Sequence, residues 1–327
     1  MATIVPQPTT TLPCVSSLGP ALVVVSGRSR RTAGASAWRA LVDGIVAAAQ
    51  VRGHAPVEIV PAAGPAIVDA AVRTALLRGA TLVVAVGGDG LVREAAGPLV
   101  GSGACLGIVP AGTGNLLASA LRIPRDTAGA LRILASGSPR RIDQGIASWE
   151  GGPDGPGSGT FLVACGAGLD ARLVGGASVS AKRRLGLAAY MGAALASAAD
   201  LRPRSTRLVV DGVTHDTRSI VVLVANAGEL IPGKLGPRHP IRPDDGLLDV
   251  FVLHGGIVGS LQGTVELLAA SGPGQRRAGM RLQGGAVRIE IETPEPVQLD
   301  GDVLGTSPLE ARLIPGALAV LAPGGAG

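Results

Sequence analysis

The sequence predicts an α/β protein with two domains. The chain has 327 residues, more than the ~250–300 at which a single hydrophobic core stops growing. Up to about residue 141, apolar runs of strand length alternate with segments of helical periodicity, which indicates a doubly wound α/β domain over residues 21–141. After that point, short strand-like runs are separated by close turns. Residues 142–312 are therefore predicted to form a β-rich, mostly antiparallel domain.

The elements of the N-terminal domain follow in strict alternation. Strands are expected at ALVVVSG, VEIVPA, TLVVAVGG and ACLGIVPAG. Long helices are expected at ASAWRALVDGIVAAAQVRG and PAIVDAAVRTALLRG, where Pro65 stands near the start of the second. Shorter helices are expected at VREAAGPLV, GNLLASALRI and TAGALRILASG, the last capped by Asp126. This order indicates a mostly parallel sheet, and ligands of such sheets bind outside the C-terminal ends of the strands.

The C-terminal domain is a succession of strands with one helical stretch. The runs RIDQGIASW and TFLVACGAG flank a glycine-rich loop, and a helix is expected from Leu185 to Leu201. Further strands are expected at TRLVVDG, THDTRSIVVLVANAG, GLLDVFVLH, AVRIEIET and VQLDGD.

The two ends of the chain are treated separately. Residues 1–20 lack the basic start and long apolar run of a signal peptide and are predicted to be a disordered leader. The final apolar run, residues 313–323, is expected to pack back onto the N-terminal domain.

Composition narrows the class of partner. Aromatic residues make up 2% of the chain, which argues against a nucleic-acid partner, because single-stranded nucleic acid is bound by stacking its bases on aromatic rings. The formal net charge is +5, with basic clusters at residues 28–31, 182–184 and 276–277. Such clusters suit phosphates or an anionic membrane surface, and a merely solvated surface explains each of them equally well.

Cysteine usage and hydropathy indicate the compartment. The chain has three cysteines and no CxxC pair, which favours a reduced, cytoplasmic compartment. The longest apolar run, Leu185 to Ala199, is shorter than the ~20 residues that span a bilayer and is expected to be a buried helix. Any membrane contact is therefore expected to be peripheral.

A glycine-rich turn follows the third predicted strand. Gly87, Gly88 and Gly90 would let the backbone approach a phosphate, and the helix that follows adds a partial positive charge at its start. Asp89 would then lie among phosphates, where a carboxylate serves as a metal partner or as a base. The alternative is a tight strand-to-helix turn with a helix-capping aspartate.

A second turn repeats the arrangement after the fourth strand. Gly112, Thr113 and Gly114 precede Asn115, which opens the next helix. Thr113 and Asn115 could act only as helix caps. Two such turns at the ends of neighbouring strands, however, are expected to converge on one crevice, which capping alone does not require.

Taken in order, these turns and three later motifs resemble the diacylglycerol kinase catalytic-domain family, which includes bacterial lipid kinases and sphingosine and ceramide kinases. The motifs are GGDG, PAGTGN, GAGLDA, DDGLLDV and VQLDGD, and the match runs from about Ala21 to Pro323. GGDG by itself is shared with NAD kinases and phosphofructokinases. Its combination with GTGN and the C-terminal DGD is much more specific. The resemblance implies a nucleotide-binding α/β domain, a β-rich lipid-substrate domain and a site between them.

The activity implied by the resemblance is ATP-dependent transfer of a phosphoryl group to a lipid hydroxyl, such as that of diacylglycerol. The nucleotide phosphates would be held by the two turns, at Gly87, Gly88, Asp89, Gly90, Gly112, Thr113 and Asn115. Asp89 would also be catalytic. Such an enzyme would be cytoplasmic and peripherally associated with the inner membrane face.

The resemblance also implies a magnesium site and a base. Asp245 matches the aspartate of the family's structural Mg²⁺ site, where the backbone carbonyls of Arg242 and Leu247 would complete an all-oxygen set. Without the resemblance, DDG is better interpreted as a turn before the strand LLDVFVL. Asp302 falls where bacterial members carry the catalytic glutamate that deprotonates the lipid hydroxyl, and the alternative is an aspartate that finishes a turn.

Several positions depart from the family pattern. Leu91 replaces a threonine, Arg93 stands where asparagine is common, and Leu116 replaces an aspartate. Ser26 and the glycine after it stand in for an Asn-Pro pair, and Asp302 is one methylene shorter than glutamate. Leucine at position 91 also occurs in sphingosine and ceramide kinases, so that change is compatible with activity.

Two alternatives stay open at this level. The first is a sphingoid-base or ceramide-type kinase, since an apolar pocket discriminates weakly between similar acyl chains. The second is a non-catalytic relative that binds nucleotide and lipid, which the changes at Leu116 and Asp302 make plausible. An NAD kinase fits less well, because GTGN and the terminal DGD match it poorly.

Overall fold

The computed structural model describes residues 19–27, 34–152, 155–168, 203–228, 241–254, 273–276 and 279–324. The predicted leader falls almost entirely outside these ranges, and so does the helix predicted from Leu185 to Leu201. The side chains of the three basic clusters also lie outside the described residues.

The N-terminal half alternates strands and helices as predicted. Its elements are β1 (Ala21–Ser26), α1 (Ala35–Val51), β2 (Val57–Ala62), α2 (Pro65–Leu77), β3 (Leu82–Gly87), α3 (Asp89–Ala96), β4 (Cys105–Pro110), α4 (Leu116–Ala120) and α5 (Thr127–Ser136). The strands run parallel in the order β2-β1-β3-β4.

Helices cover both faces of this parallel sheet. Val24 and Ala85 point to the face that packs against α2, α3 and α4. Val23 and Val84 point to the opposite face, where α1 and α5 pack. Every residue of β3 is buried, because successive side chains of a strand point to opposite faces and both faces are covered. The predicted doubly wound α/β domain is confirmed.

In its described residues, the C-terminal half is built of strands. They are β5 (Ser138–Gly151), β6 (Gly157–Phe161), β7 (Ala164–Ala167), β8 (Arg204–Val210), β9 (Val213–Ser219), β10 (Val221–Ala225), β11 (Leu248–Leu253), β12 (Gly274–Arg276), β13 (Gly279–Gly284), β14 (Ala286–Ile291), β15 (Pro296–Leu299) and β16 (Asp302–Ala322). All strand pairs within this half are antiparallel. The predicted β-rich, antiparallel region is thus confirmed.

One long strand connects the two halves. Near its end, β16 pairs in parallel with β4 through Ala319 and Val320, so the last apolar run adds a strand to the N-terminal sheet. Over most of its length β16 also pairs with β5, from Thr306 to Ala322. The predicted domain boundary at residue 141 falls inside β5, so the division into two functional domains stays a prediction.

A buried ion pair lies in the C-terminal sheet. Arg281 on β13 donates to the Asp249 carboxylate on β11 at 2.7 and 2.9 Å, and Gln283 donates to the same oxygen at 3.0 Å. Both side chains of the ion pair are almost fully buried. The guanidinium also lies 5.4 Å from the ring centroid of Phe251, within cation–π range.

Removing one partner of this pair should destabilise the fold strongly. Arg281→Met leaves the Asp249 carboxylate buried without its cation, so the free energy of unfolding in urea should fall by about 3–5 kcal/mol. The double variant Arg281→Met, Asp249→Leu removes both charges and should recover most of that loss. A double variant as unstable as the single one would contradict this account.

Candidate active site

The two glycine-rich turns touch each other directly. The backbone N–H of Ala111 donates to the Gly87 carbonyl at 2.8 Å, which aligns the two turns. A Cβ placed on Gly112 would lie 2.3 Å from the Cα of Gly88, so neither turn can carry a side chain at this contact. From the sequence, these glycines are predicted to leave room for a phosphate. The structure adds that two of them are needed for the turns to meet.

Asn115 holds the second turn in shape. It adopts a left-handed backbone conformation with φ of 51°. Its side-chain amide accepts from the Gly112 N–H and donates to the Gly112 carbonyl, both at 3.0 Å. The turn is therefore closed on itself around Thr113 and Gly114. Helix α4 starts at the next residue and is only five residues long, shorter than the sequence predicted.

Asp89 crosses from the first turn to the second. It begins α3, but its carboxylate accepts the backbone N–H of Leu117 on α4 at 3.2 Å. A Cβ on Gly114 would lie 2.9 Å from this carboxylate, so a larger residue there would press on the end of the Asp89 side chain. Burial raises the pKa of Asp89, and the N–H groups at the start of α4 oppose that rise. The carboxylate therefore serves as a cap, as the alternative interpretation supposed, but for a different helix.

A two-residue turn, Asp300-Gly301, faces Asp89 across a small cleft. Both turn residues have positive φ, 46° and 96°, and they join β15 to β16 where Leu299 pairs with Asp302. This is the geometry of a type I′ hairpin, for which Asp-Gly is a strong sequence signal. The cleft is lined by Asp89, Leu116, Val163, Ala164, Gln298, Asp300 and Gly301.

The Asp300 carboxylate is held by backbone. It accepts the N–H groups of Leu162, Val163 and Ala164, each at 2.9 Å. These residues lie at the break between β6 and β7, which the sequence predicted as one continuous strand. Although the residue keeps some solvent contact, its carboxyl group is enclosed by protein, and this burial raises the pKa of Asp300 to about 6.

Asp300 was not singled out by the sequence reasoning. The motif VQLDGD was interpreted as a strand with a terminal carboxylate of interest at Asp302. The Asp-Gly pair between two apolar runs was the available signal. It predicts a hairpin turn with the first aspartate at its corner.

Asp302 lies at the rim of the cleft rather than in its lining. The side chain is 57% exposed and forms an ion pair with Arg93 on α3, with Nη2 and Oδ2 2.6 Å apart. The family position of Asp302 implies a carboxylate in the site beside Asp89, and the structure has Asp300 in the cleft lining instead. The assignment of Asp302 as general base stays a prediction.

The predicted magnesium loop lies near two other carboxylates, those of Asp143 and Asp249. Asp245 is exposed and accepts the N–H of Leu247 at 3.1 Å. Partial burial of its carboxyl group raises the pKa of Asp245, and the nearby charges of Asp249 and Asp143 raise it further. Asp143, itself buried, accepts the Gly246 N–H at 2.7 Å, and its own N–H donates to the Pro243 carbonyl at 2.6 Å. Sequence reasoning had not identified this clamp on the loop.

The chemistry of this loop fits a hard cation. Its donors are oxygens, and a positive charge would offset the repulsion that Asp245 feels from Asp143 and Asp249. Among the described residues, no three His, Cys, Asp or Glu side chains converge on one point as a metal cluster. The predicted site relies instead on one carboxylate, that of Asp245, with the carbonyls of Arg242 and Leu247.

Comparison with known proteins places this arrangement in a family. The model of the diacylglycerol kinase catalytic domain matches residues 20–147, and that of the YegS C-terminal NAD kinase beta sandwich-like domain matches residues 163–322. A protein of Pseudomonas aeruginosa described as "Probable lipid kinase YegS-like" is 31% identical over 257 residues, covering 78% of this chain and 80% of that protein. The chain belongs to the diacylglycerol kinase catalytic-domain family.

Other members and structures extend the comparison. An uncharacterized protein of Synechocystis is 28% identical, and the match covers 75% of this chain but only 55% of that protein, about half its length. A crystal structure described as a diacylglycerol kinase from Bacillus anthracis shares the fold, with a TM-score of 0.67 at 18% identity over 93% of this chain and 96% of that one. The fold extends to yeast NADH kinase, with a TM-score of 0.51 at 10% identity over 94% of this chain and 85% of that one.

By family the chain is therefore lipid-kinase-like. In the part of the chain that the structure describes, no helix is both long enough and apolar enough to cross a bilayer.

The contact between the turns can be tested on two glycines, one from each turn. Gly112→Ala would push its Cβ against the Gly88 backbone, so the variant should lose about 1–3 kcal/mol of stability in a urea titration. Gly90 is the matched control, since a Cβ there meets nothing within 4 Å, and Gly90→Ala in α3 should be neutral or stabilising. Equal destabilisation by both changes would show that the contact does not constrain the turns.

Proposed function

We propose that this protein is an ATP-dependent lipid kinase that transfers the γ-phosphoryl group to the hydroxyl of a lipid alcohol such as diacylglycerol. The observation that carries the proposal is that two aspartates, Asp89 and Asp300, line one cleft beside two abutting glycine-rich turns. A lipid acceptor implies peripheral contact with an anionic membrane surface, which the net charge of +5 would favour.

The two turns would hold the nucleotide. Five of the eight residues in 87–90 and 112–115 are glycine, so much of this backbone carries no side chain, and α3 begins at this point with its positive dipole end. Gly90 is open on its Cβ side, so a phosphate could approach the backbone there. The bulkier valine of Gly90→Val should therefore weaken ATP binding. Gly90→Ala should leave ATP binding nearly intact.

The reaction needs one group to accept the proton of the lipid hydroxyl. As that proton leaves, the oxygen bonds to the γ-phosphorus, the bond to the β-phosphate oxygen breaks, and ADP departs. Asp300 is the carboxylate of the DGD turn that lines the cleft, and a pKa near 6 suits a base at neutral pH. Asp302, the base predicted from the sequence, is already paired with Arg93. We therefore propose Asp300 for this role, with Asp302 as the rival.

Magnesium would be held at the Asp245 loop. The carboxylate of Asp245 and the carbonyls of Arg242 and Leu247 would ligate it, as the family pattern implies, and Asp143 orients the loop through Gly246. A bound Mg²⁺ there supplies positive charge that stabilises the fold of the loop. None of these residues lines the cleft, so the proposed role is structural rather than a step in transfer.

Three aspartate variants separate the candidate bases. Asp300→Asn should lower kcat by ~10²–10⁴ with ATP affinity little changed, while Asp302→Asn should keep most activity. The matched control is Asp211→Asn, because Asp211-Gly212 is another positive-φ Asp-Gly turn whose carboxylate binds backbone N–H groups outside the cleft. Turnover is measured with labelled ATP and a panel of micellar lipid alcohols.

The pH dependence follows from the same assignment. A base must be ionised, so kcat/KM should rise with pH through about 6, and Asp300→Asn should abolish that limb. A large loss in Asp302→Asn with Asp300→Asn unaffected would return the role to Asp302. Nucleotide-dependent stabilisation without ADP release for any lipid would identify a non-catalytic binder.

The Asp89 variant tests the other side of the cleft. Asp89→Asn keeps an oxygen for the Leu117 N–H but removes the charge next to the proposed phosphate site, so the fold should persist while turnover falls sharply. Circular dichroism and the melting temperature control for folding. Turnover near that of the parent protein would exclude a catalytic role for this carboxylate.

Magnesium binding is tested through thermal stability. Mg²⁺ should raise the melting temperature of the parent protein and fail to do so in Asp245→Ala, since a ligand that binds only the native state stabilises it. The control is Asp244→Ala, because Asp244 is adjacent but pairs with Arg140 and Arg242. An Mg²⁺-dependent increment that survives in Asp245→Ala would refute the site.

A further inference from the structure

Arg93 makes a connection between distant parts of the chain. It lies in α3, and its guanidinium donates to the Leu299 carbonyl at 2.7 Å through Nη1 and to the Asp302 carboxylate at 2.6 Å through Nη2. These partners are 206 and 209 residues away in sequence. The Arg93 side chain is only 13% exposed, so water competes little for these hydrogen bonds.

The two acceptors stand on either side of one turn. Leu299 ends β15 and Asp302 begins β16, and the two pair with each other across the Asp300-Gly301 turn. A planar guanidinium that binds both strands holds the turn at a fixed height and angle, because its donors are arranged as a rigid fork. The Asp300 carboxylate is carried by that turn.

Helix α3, which carries Arg93, also carries Asp89, the aspartate on the other side of the cleft. Asp89 and Arg93 are four residues apart on α3 and therefore lie on the same side of the helix. The guanidinium thus bridges the helix that presents Asp89 and the turn that presents Asp300. The distance across the cleft depends on this bridge.

We propose that Arg93 is a positioning residue that fixes the Asp300 turn opposite Asp89 and so determines the rate of phosphoryl transfer rather than the affinity for nucleotide. The inference rests on the proposed function of the cleft and deepens it. Arg93 and Asp302 are two of the positions that depart from the family pattern, and the structure brings them into contact. The shorter carboxylate of Asp302 and the longer side chain of Arg93 thus form one matched pair.

The charges around Asp300 agree with this role. The ionisable groups near it are Arg93 on α3, Asp89 across the cleft, Asp302 on β16 and the Cys165 thiol on β7. Burial raises the pKa of Asp300, and the positive charge of Arg93 opposes that rise. Loss of Arg93 should therefore move the Asp300 pKa upward.

The test compares three substitutions. Arg93→Met keeps an unbranched side chain, shorter than that of arginine, and removes both hydrogen bonds. Arg93→Lys keeps the charge but cannot donate to both strands in the same fork geometry. Arg73→Met is the matched control, since Arg73 also forms an ion pair with an aspartate, Asp69, but does so on the exposed surface of α2.

We expect Arg93→Met to lower kcat by about 10- to 100-fold, because a misplaced catalytic group costs rate even when binding is intact. The KM for ATP should change by less than about threefold, Arg93→Lys should fall between the parent protein and Arg93→Met, and Arg73→Met should match the parent. The rise of kcat/KM near pH 6 should move to a higher pH in Arg93→Met.

A second readout needs no substrate. The Asp300 carboxyl carbon is titrated by ¹³C NMR, with Asp300→Asn identifying its signal, and Arg93→Met should raise its pKa. If the parent protein transfers phosphate but Arg93→Met leaves kcat unchanged, the positioning role is overturned. If no lipid alcohol is phosphorylated yet the titration shifts, the proposed function fails and the bridge stands. A titration that does not shift overturns the bridge in either case.

Discussion

The structure depends on one carboxylate bound to backbone. Asp300 satisfies three consecutive N–H groups, those of Leu162, Val163 and Ala164, at the break between β6 and β7. Hydrogen bonds to a charged acceptor are worth roughly 1.5–3 kcal/mol each, and a buried N–H left without a partner is costly. The aspartate therefore joins the β15–β16 hairpin to the start of β7, which lies next to β15 in the same sheet.

This arrangement carries a cost that bears on function. Because burial raises the pKa of Asp300 from 3.8 to about 6, the native state holds the proton more tightly than the unfolded chain. The associated stability is fully present below pH 3.8 and is lost as the pH rises through about 6, a loss of roughly 3 kcal/mol. At neutral pH the protein keeps an ionised carboxylate where burial disfavours it. Strained ionisation of this kind is common in clefts that perform acid–base chemistry.

Strand β16 determines how the two halves meet. It begins at the rim of the cleft with Asp302 and ends in the parallel sheet beside β4. The turn that carries Asp300 and the sheet that carries the glycine-rich turns are thus parts of one hydrogen-bonded structure. Arg93 adds a side-chain connection close to the cleft itself. A cleft braced in this way is suited to transfer that depends on positioning.

The sequence by itself determined the features that are local along the chain. The alternation of apolar strands and amphipathic helices predicted the parallel sheet, and the glycines after β3 and β4 predicted two turns at its edge. Asp211-Gly212 and Asp300-Gly301 share one local signal and adopt the same positive-φ geometry, since that geometry depends on the two turn residues alone.

Only the tertiary structure decided which carboxylates meet. Asp211 binds the N–H groups of Gly285 and Ala286 at the surface, whereas Asp300, in the same kind of turn, lines the cleft. Asp302 is the residue that the family pattern places in the site. It pairs instead with Arg93, which lies on a helix 209 residues away in sequence. Such partners are fixed by the packing of strands and helices remote in sequence. No local sequence pattern encodes which of these remote residues come into contact.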